Sequence, residues 1–249
     1  METLAETQPV RVDSFPGTPQ AVVTPEPIVT TYSALSMFRN CRKAFECRHI
    51  RGLEPLQRDE NLRFGSLIHD CLEKWHGGMN LAAIEEEIDK ACWRRTTDPD
   101  VKQTWHYARA IMRGYAAKYP AEAWGVIALE KTFSGQIINP ETGAASRSYV
   151  LSGKVDGIVK MPDGNYILEH KTASSIDGDY LDKLWMDFQV TLYTHYVERC
   201  LNIPIAGIIY NVLTKVKIRQ SEGETAEEFT QRFMIACSKN KSGKSTATR

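Results

Sequence analysis

The spacing of apolar residues changes period partway along the chain. From Tyr32 to Tyr119 they recur at three- and four-residue steps, the repeat of a helix with one buried face. This predicts a helix over Tyr32–Ile50, with Ser33 as N-cap and Leu35, Phe38 and Phe45 on one side. It predicts a second over Asn61–Trp75, with Ile68, Leu72 and Trp75 as its apolar stripe. Leu81–Arg95 and Val101–Tyr119 give two more, parted at Asp98-Pro99. Beyond that point the period falls to two, and Val126–Phe133, Tyr149–Lys160, Tyr166–Thr172 and Ile205–Leu213 are expected strands. Leu181–Cys200 is expected as a helix with Trp185, Phe188, Leu192 and Tyr196 inward, and Ala226–Cys237 as a last helix. Helices followed by a sheet with one crossover helix make an α/β core with an N-terminal helical lobe. A crossover of this length brings Ile205–Leu213 parallel to the strand before it.

Residues 1–30 contain five of the eleven prolines and few large apolar residues, so a disordered leader is expected there. The folded domain is expected over residues 31–237, helical through 31–120 and sheet-based through 121–220, with 238–249 a disordered basic tail.

Candidate chemistry concentrates in SGKVDGIVKMPDGNYILEHKT, residues 152–172. Side chains alternate along a strand, so Ser152, Lys154, Asp156 and Ile158 share a face. Pro162-Asp163-Gly164-Asn165 is a turn signal between two apolar runs. On the returning strand Glu169 and Lys171 share a face about 6.5–7 Å apart. Folding the hairpin sets Asp156 opposite residues 169–171. Two carboxylates and an ammonium then meet on a solvent-facing strand surface, where they can hold a divalent metal against a phosphodiester. The alternative is an ordinary surface ion pair on a hairpin.

Further motifs occur in a fixed order. Tyr32-Ser33-Ala34-Leu35-Ser36 with Cys41 comes first, then Phe64-Gly65-Ser66-Leu67-Ile68-His69, Glu130, Gly153-Lys154-Val155-Asp156, Glu169-His170-Lys171 and Gln189-Val190-Thr191-Leu192-Tyr193. Over roughly residues 31–220 this series resembles the RecB-like exonuclease branch of the PD-(D/E)XK nuclease superfamily, which includes CRISPR-associated and phage RecB-like exonucleases. The resemblance implies a restriction-endonuclease-like mixed β-sheet flanked by helices. It implies a metal-dependent DNA exonuclease of recombination, repair or phage and CRISPR DNA processing, with Mg²⁺ or Mn²⁺ as cofactor. Asp156 and Glu169 would be metal ligands, joined by His69 and the main-chain carbonyl of His170, with Lys171 orienting the nucleophile. Gln189 and Tyr193 would contact the scissile phosphate or Lys171, and Glu130 the outer shell of the metal or the DNA end. Gly65, one turn before His69, would let another backbone or the DNA come close. The alternatives are an endonuclease on the same fold and an inactive nuclease-like DNA-binding or scaffold subunit, although all three motif residues are present. A recombinase or other DNA-processing partner, or a homo-oligomer completing the DNA channel, fits the same reading.

Composition changes this picture only at its edges. Hydrophobic content of 42% and charged content of 25% are those of an ordinary soluble globular chain. No apolar run is long enough to span a membrane and METLAETQPV is not a secretory signal, so a cytoplasmic location is expected. The formal net charge of zero is unusual for a nucleic-acid binder, but local patches outweigh the sum. Arg39, Arg42, Lys43, Arg48 and Arg51 crowd one segment, while Lys215, Lys217 and Arg219 alternate along an expected strand. Cys41, Cys47, Cys71, Cys92, Cys200 and Cys237 form no C-x-x-C pair and are expected to be free and buried. Some relatives hold an iron–sulfur cluster with one N-terminal and three C-terminal cysteines. Cys41 matches the first, but the C-terminal three are missing, so no cluster is expected.

Overall fold

A computed structural model describes residues 26–56, 59–93, 99–215 and 218–238. The chain opens with a short strand β1 (Ile28–Thr30), then α1 (Tyr32–Asn40), α2 (Arg42–Phe45) and a π-helical turn (Glu46–Ile50). Three longer helices follow, α3 (Glu60–His76), α4 (Leu81–Trp93) and α5 (Pro99–Lys118). The sheet is then built by β2 (Gly125–Ile138), β3 (Ala145–Met161) and β4 (Gly164–Ala173). Helices α6 (Gly178–Trp185) and α7 (Phe188–Leu201) cross to β5 (Gly207–Thr214), and α8 (Ala226–Ser238) closes the described chain. The five-stranded sheet runs β1-β3-β4-β5, with β2 also paired to β3. It is mixed: β3 is antiparallel to β2 and β4, while β4–β5 and β1–β3 are parallel.

The two periods of the sequence thus become a helical lobe and a sheet, as their spacing predicts. The parallel β4–β5 pair is the expected parallel return, in register from Tyr166↔Gly207 to Ala173↔Thr214. Four expectations are corrected. The helix cap is Thr31, whose hydroxyl accepts from the Ala34 amide, because it precedes the first helical residue while Ser33 already lies inside the helix. The expected helix over 32–50 breaks at Cys41, whose φ of −156° is extended. Ile28–Thr30 pairs with Tyr149–Leu151, so the end of the expected leader joins the sheet; residues 1–25 lie outside the described residues. The helix expected over 181–200 is two helices, split where Asp187 takes an extended conformation and caps α7 through the Gln189 amide. The split turns Trp185 and Phe188 outward, Trp185 being 89% exposed, and leaves Val190, Tyr193, Tyr196 and Val197 as the buried stripe.

The core lies on both sides of the sheet. One face presents Ile158, Ile167 and Ile208 to Tyr193, Tyr196 and Val197 of α7. The other presents Val159, Leu168 and Ile209 to Trp124, while Leu213 joins the lobe. The lobe packs Phe64, Ile68 and Leu72 of α3 with Ile84 and Ile88 of α4, Met112 of α5, and Phe229 and Phe233 of α8. No described helix is long and apolar enough to cross a membrane. The cysteines are only partly as expected: Cys71 and Cys92 are buried, whereas Cys41 and Cys200 are exposed, and Cys41, Cys71 and Cys200 are free thiols.

Candidate active site

The hairpin turn needs only Pro162 and Asp163, because Met161 already faces Gly164 across the ladder. That register runs to Gly157↔Leu168, which makes Asp156 and Glu169 the next opposed positions, where the regular pairing stops. On the other edge of β3 the pairs Leu129↔Gly157 and Lys131↔Val155 flank Glu130, whose φ of 47° is in the left-handed region that favours glycine. The ladder is therefore irregular on both sides of Asp156, and its carboxylate becomes available to groups other than its own sheet.

Asp156 is held at two points. Its Oδ2 accepts the His170 amide at 2.7 Å, and its Oδ1 lies 3.2 Å from His69 Nδ1. His69 comes from α3, so the helical lobe reaches the sheet at this carboxylate. Glu169 Oε1 accepts Lys171 Nζ at 2.5 Å, and Gln189 of α7 joins both, with its Oε1 3.3 Å from Lys171 Nζ and its Nε2 3.4 Å from Glu169 Oε1. One Asp, one Glu, one Lys, one His and one Gln, drawn from β3, β4, α3 and α7, thus stand together.

The electrostatics separate the two carboxylates. Burial pushes Asp156 up, but the His69 hydrogen bond, the His69 charge and the His170 amide outweigh it and hold the carboxyl below its usual range. Burial raises Glu169, the Asp156 charge raises it further, and Lys171 only partly offsets both. Burial lowers Lys171, yet its carboxylate neighbours, Glu169 foremost, win, so it stays protonated at neutral pH. Burial also lowers His69, and Asp156 with Glu169 reverse the sign. The expectation of a solvent-facing surface is corrected: Glu169 is 3% exposed, because α7 and β5 cover the strand.

The His170 ring meets the His69 ring edge-on at 5.9 Å, stacks on His76 at 5.3 Å and is bonded through Nδ1 to Asn211 Nδ2 at 2.9 Å. Burial depresses it to about 3, so it is neutral and positions rather than titrates. Tyr193 is buried against Phe133 and Tyr32 and reaches the cluster only through Gln189. Glu130 is taken up by an ion pair with Lys154. The close approach expected at Gly65 is not one that requires glycine: a Cβ there would meet Thr172 Oγ1 at 3.8 Å, an ordinary contact. The basic strand is corrected: β5 ends at Thr214, Lys215 is drawn over the Phe64 ring at 4.4 Å, and Lys217 lies outside the described residues. Sequence reasoning missed Asp187, Asn211 and His76. Asp187 alone carried a signal, as an Asp two residues before Gln189.

Among the described residues no three His, Cys, Asp or Glu side chains already stand at metal-ligand spacing. The chemistry of the donors nonetheless fits a hard divalent cation: an imidazole and two carboxylates share one buried place, and Glu169 ionises there only against the charge of Asp156.

A mixed sheet flanked by helices, with an Asp–Glu–Lys cluster where two antiparallel strands part, is the restriction-endonuclease-like arrangement. The sequence model of the PD-(D/E)XK nuclease superfamily matches residues 29–246, and the chain belongs to that superfamily. Membership indicates a nuclease, in a superfamily that generally uses divalent metals such as Mg²⁺ or Mn²⁺. No curated protein matches the chain.

Proposed function

We propose that the protein is a Mg²⁺- or Mn²⁺-dependent DNA exonuclease of the RecB-like branch. The observation that carries this reading is the convergence of His69 from the helical lobe on Asp156, beside the Glu169–Lys171 pair. Asp156, Glu169 and His69 would hold the cation, with the main-chain carbonyl of His170 as a further oxygen. The bound ion would lower the pKa of a water and offset charge gathering on the phosphate. The remaining work belongs to the chain. Lys171, kept protonated by Glu169, acts as a fixed positive charge that orients the attacking oxygen and stabilises the phosphate, not as a base. Gln189 fixes the Lys171 ammonium by accepting one of its hydrogen bonds. The neutral His170, clamped by Asn211 and His76, presents its amide to Asp156 and sets the carboxylate's orientation.

Digestion of end-labelled linear DNA and closed circular DNA, with Mg²⁺, Mn²⁺ or EDTA, tests this reading. Linear DNA should be shortened from its ends, circular DNA spared, and EDTA should stop the reaction. Asp156→Asn should reduce cleavage by about a thousandfold or more. Cutting of the circle would assign an endonuclease. Binding of both DNAs without any cleavage would assign an inactive DNA-binding subunit.

A further inference from the structure

Beside Lys171 a cleft of about 600 Å³ opens between α1, α6 and the start of α7, lined by Arg39, Lys183, Tyr32, Tyr180 and Phe188. Its contents are unlike the carboxylate site. No described carboxylate pairs with Arg39 or Lys183, although most other cations near the lobe have partners. Arg39 instead stands over the Phe188 ring at 5.7 Å, and Tyr32 packs against that ring at 6.3 Å. The one carboxylate in the wall, Asp187, is engaged by the Gln189 amide and the Tyr210 hydroxyl. Phe188 is 44% exposed, an aromatic surface that the core does not use.

Two cations with no carboxylate partner, the exposed Phe188 ring and the half-buried rings of Tyr32 and Tyr180 in one cleft suit a ligand with an anionic group and a flat face. The volume lies within the range of about 300–1,000 Å³ typical of sites for one small ligand. That accommodates a nucleotide or two. Aromatic stacking on protein also requires a base already free of its own stack. Because Lys171 lines both the cleft and the carboxylate cluster, a strand in the cleft would run directly to that cluster. We propose that this cleft is a subsite for unpaired DNA next to the cleaved bond: Arg39 and Lys183 take a phosphate, Tyr180 or Phe188 stacks a base, and the substrate end is single-stranded there. The proposal rests on the nuclease reading and adds to it the strand state of the DNA.

Fluorescence anisotropy with a labelled oligothymidylate and a blunt hairpin of equal length, both in EDTA, provides the test. The Arg39→Ala/Lys183→Ala double variant should bind oligothymidylate at least tenfold more weakly. The slope of log affinity against log salt should fall by roughly 0.7, the value for one lost phosphate contact on a single strand. Hairpin binding should stay within twofold. Tyr180→Ala should weaken oligothymidylate at least fivefold, and Tyr180→Phe, which keeps the ring, should restore it. Circular dichroism verifies that each variant is folded. Equal losses on both DNAs, an unchanged oligothymidylate affinity, or no measurable binding of the wild type to oligothymidylate would overturn the subsite. The two readings fail separately: cleavage without this discrimination sinks the subsite alone, and discrimination without any cleavage sinks the nuclease reading alone.

Discussion

At the scale of single residues, Glu169 shows how the proposed cation site strains the fold that carries it. Its carboxylate is buried beside Asp156, so the folded state resists its ionisation. An acid whose folded pKa is raised favours the fold while protonated, and that contribution is lost as pH rises from about 4.3 through the folded value. Glu169→Gln removes this pH-dependent cost while keeping an oxygen for the Lys171 ammonium. In EDTA the variant should therefore match or exceed the wild-type melting temperature at pH 8, with a smaller advantage at pH 5. Cleavage should fall by about a thousandfold. Mg²⁺ should raise the melting temperature of the wild type more than that of the variant, since a ligand stabilises only the state that binds it. A variant that melts well below wild type in EDTA at pH 8 would show that the carboxylate is structural. Gly153, in the stretch read as a motif, has a different task. A methyl group there would run into the ring of Phe133, its cross-strand partner, and meet Tyr193 Cε1 at 3.0 Å. Phe133 is fully buried and cannot yield. Gly153→Ala should cost about 1–3 kcal/mol of stability. An unchanged melting temperature would contradict that packing.

At the scale of elements, what the sequence reveals depends on how local the cause is. Strand parity and a two-residue turn are local, and they place Asp156 opposite Glu169 without reference to anything else. The apolar stripe Ile68–Leu72–Trp75 likewise fixes which way α3 faces, and with it the side on which His69 emerges. Burial of Glu169 is not local. It depends on α7 and on β5, brought in from some forty residues further along the chain, and so a solvent-facing strand is what the hairpin alone suggests. The split at Asp187 was hidden for a similar reason. Apolar spacing continues across 181–200, while one side chain, bonded forward to its own helix and across to Tyr210, makes the break favourable. That break sets where α7 begins, and therefore where Gln189 meets Lys171. Asp187→Ala should remove the cap at a cost of about 1 kcal/mol. It should also lower kcat more than DNA affinity, because Lys171 loses its aligned partner. Asp187→Asn, which can still cap, should recover the stability. Equal thermal denaturation of Asp187→Ala and wild type would mean that the cap is dispensable.

At the scale of the whole molecule, the site depends on two cores, and α3 carries a site residue from one to the other. The carboxylates belong to the sheet and its α7 side, whereas His69 belongs to α3, whose neighbours Phe64, Ile68 and Leu72 are buried in the lobe. The lobe is itself closed by the last described helix. Phe229 and Phe233 of α8 are fully buried against Tyr107 of α5, with ring centroids 5.9 and 4.7 Å away. Arg113 of α5 ties Glu85 of α4 to Glu227 of α8. A helix that touches none of the site residues thereby holds the element that delivers His69 to Asp156. Phe233→Ala should cost about 3–5 kcal/mol, since a buried ring leaves a cavity that the surrounding helices only partly close. The loss should be felt first in the lobe. On heating, DNA cleavage by the variant should disappear below the temperature at which far-ultraviolet circular dichroism reports loss of the sheet. In wild type the two should coincide. The variant should also need more Mg²⁺ for half-maximal cleavage, because its imidazole is no longer held at the carboxylates. If Phe233→Ala melts earlier but keeps wild-type activity and Mg²⁺ requirement up to its own sheet transition, then α3 is positioned by the sheet alone and the lobe is not part of the machinery.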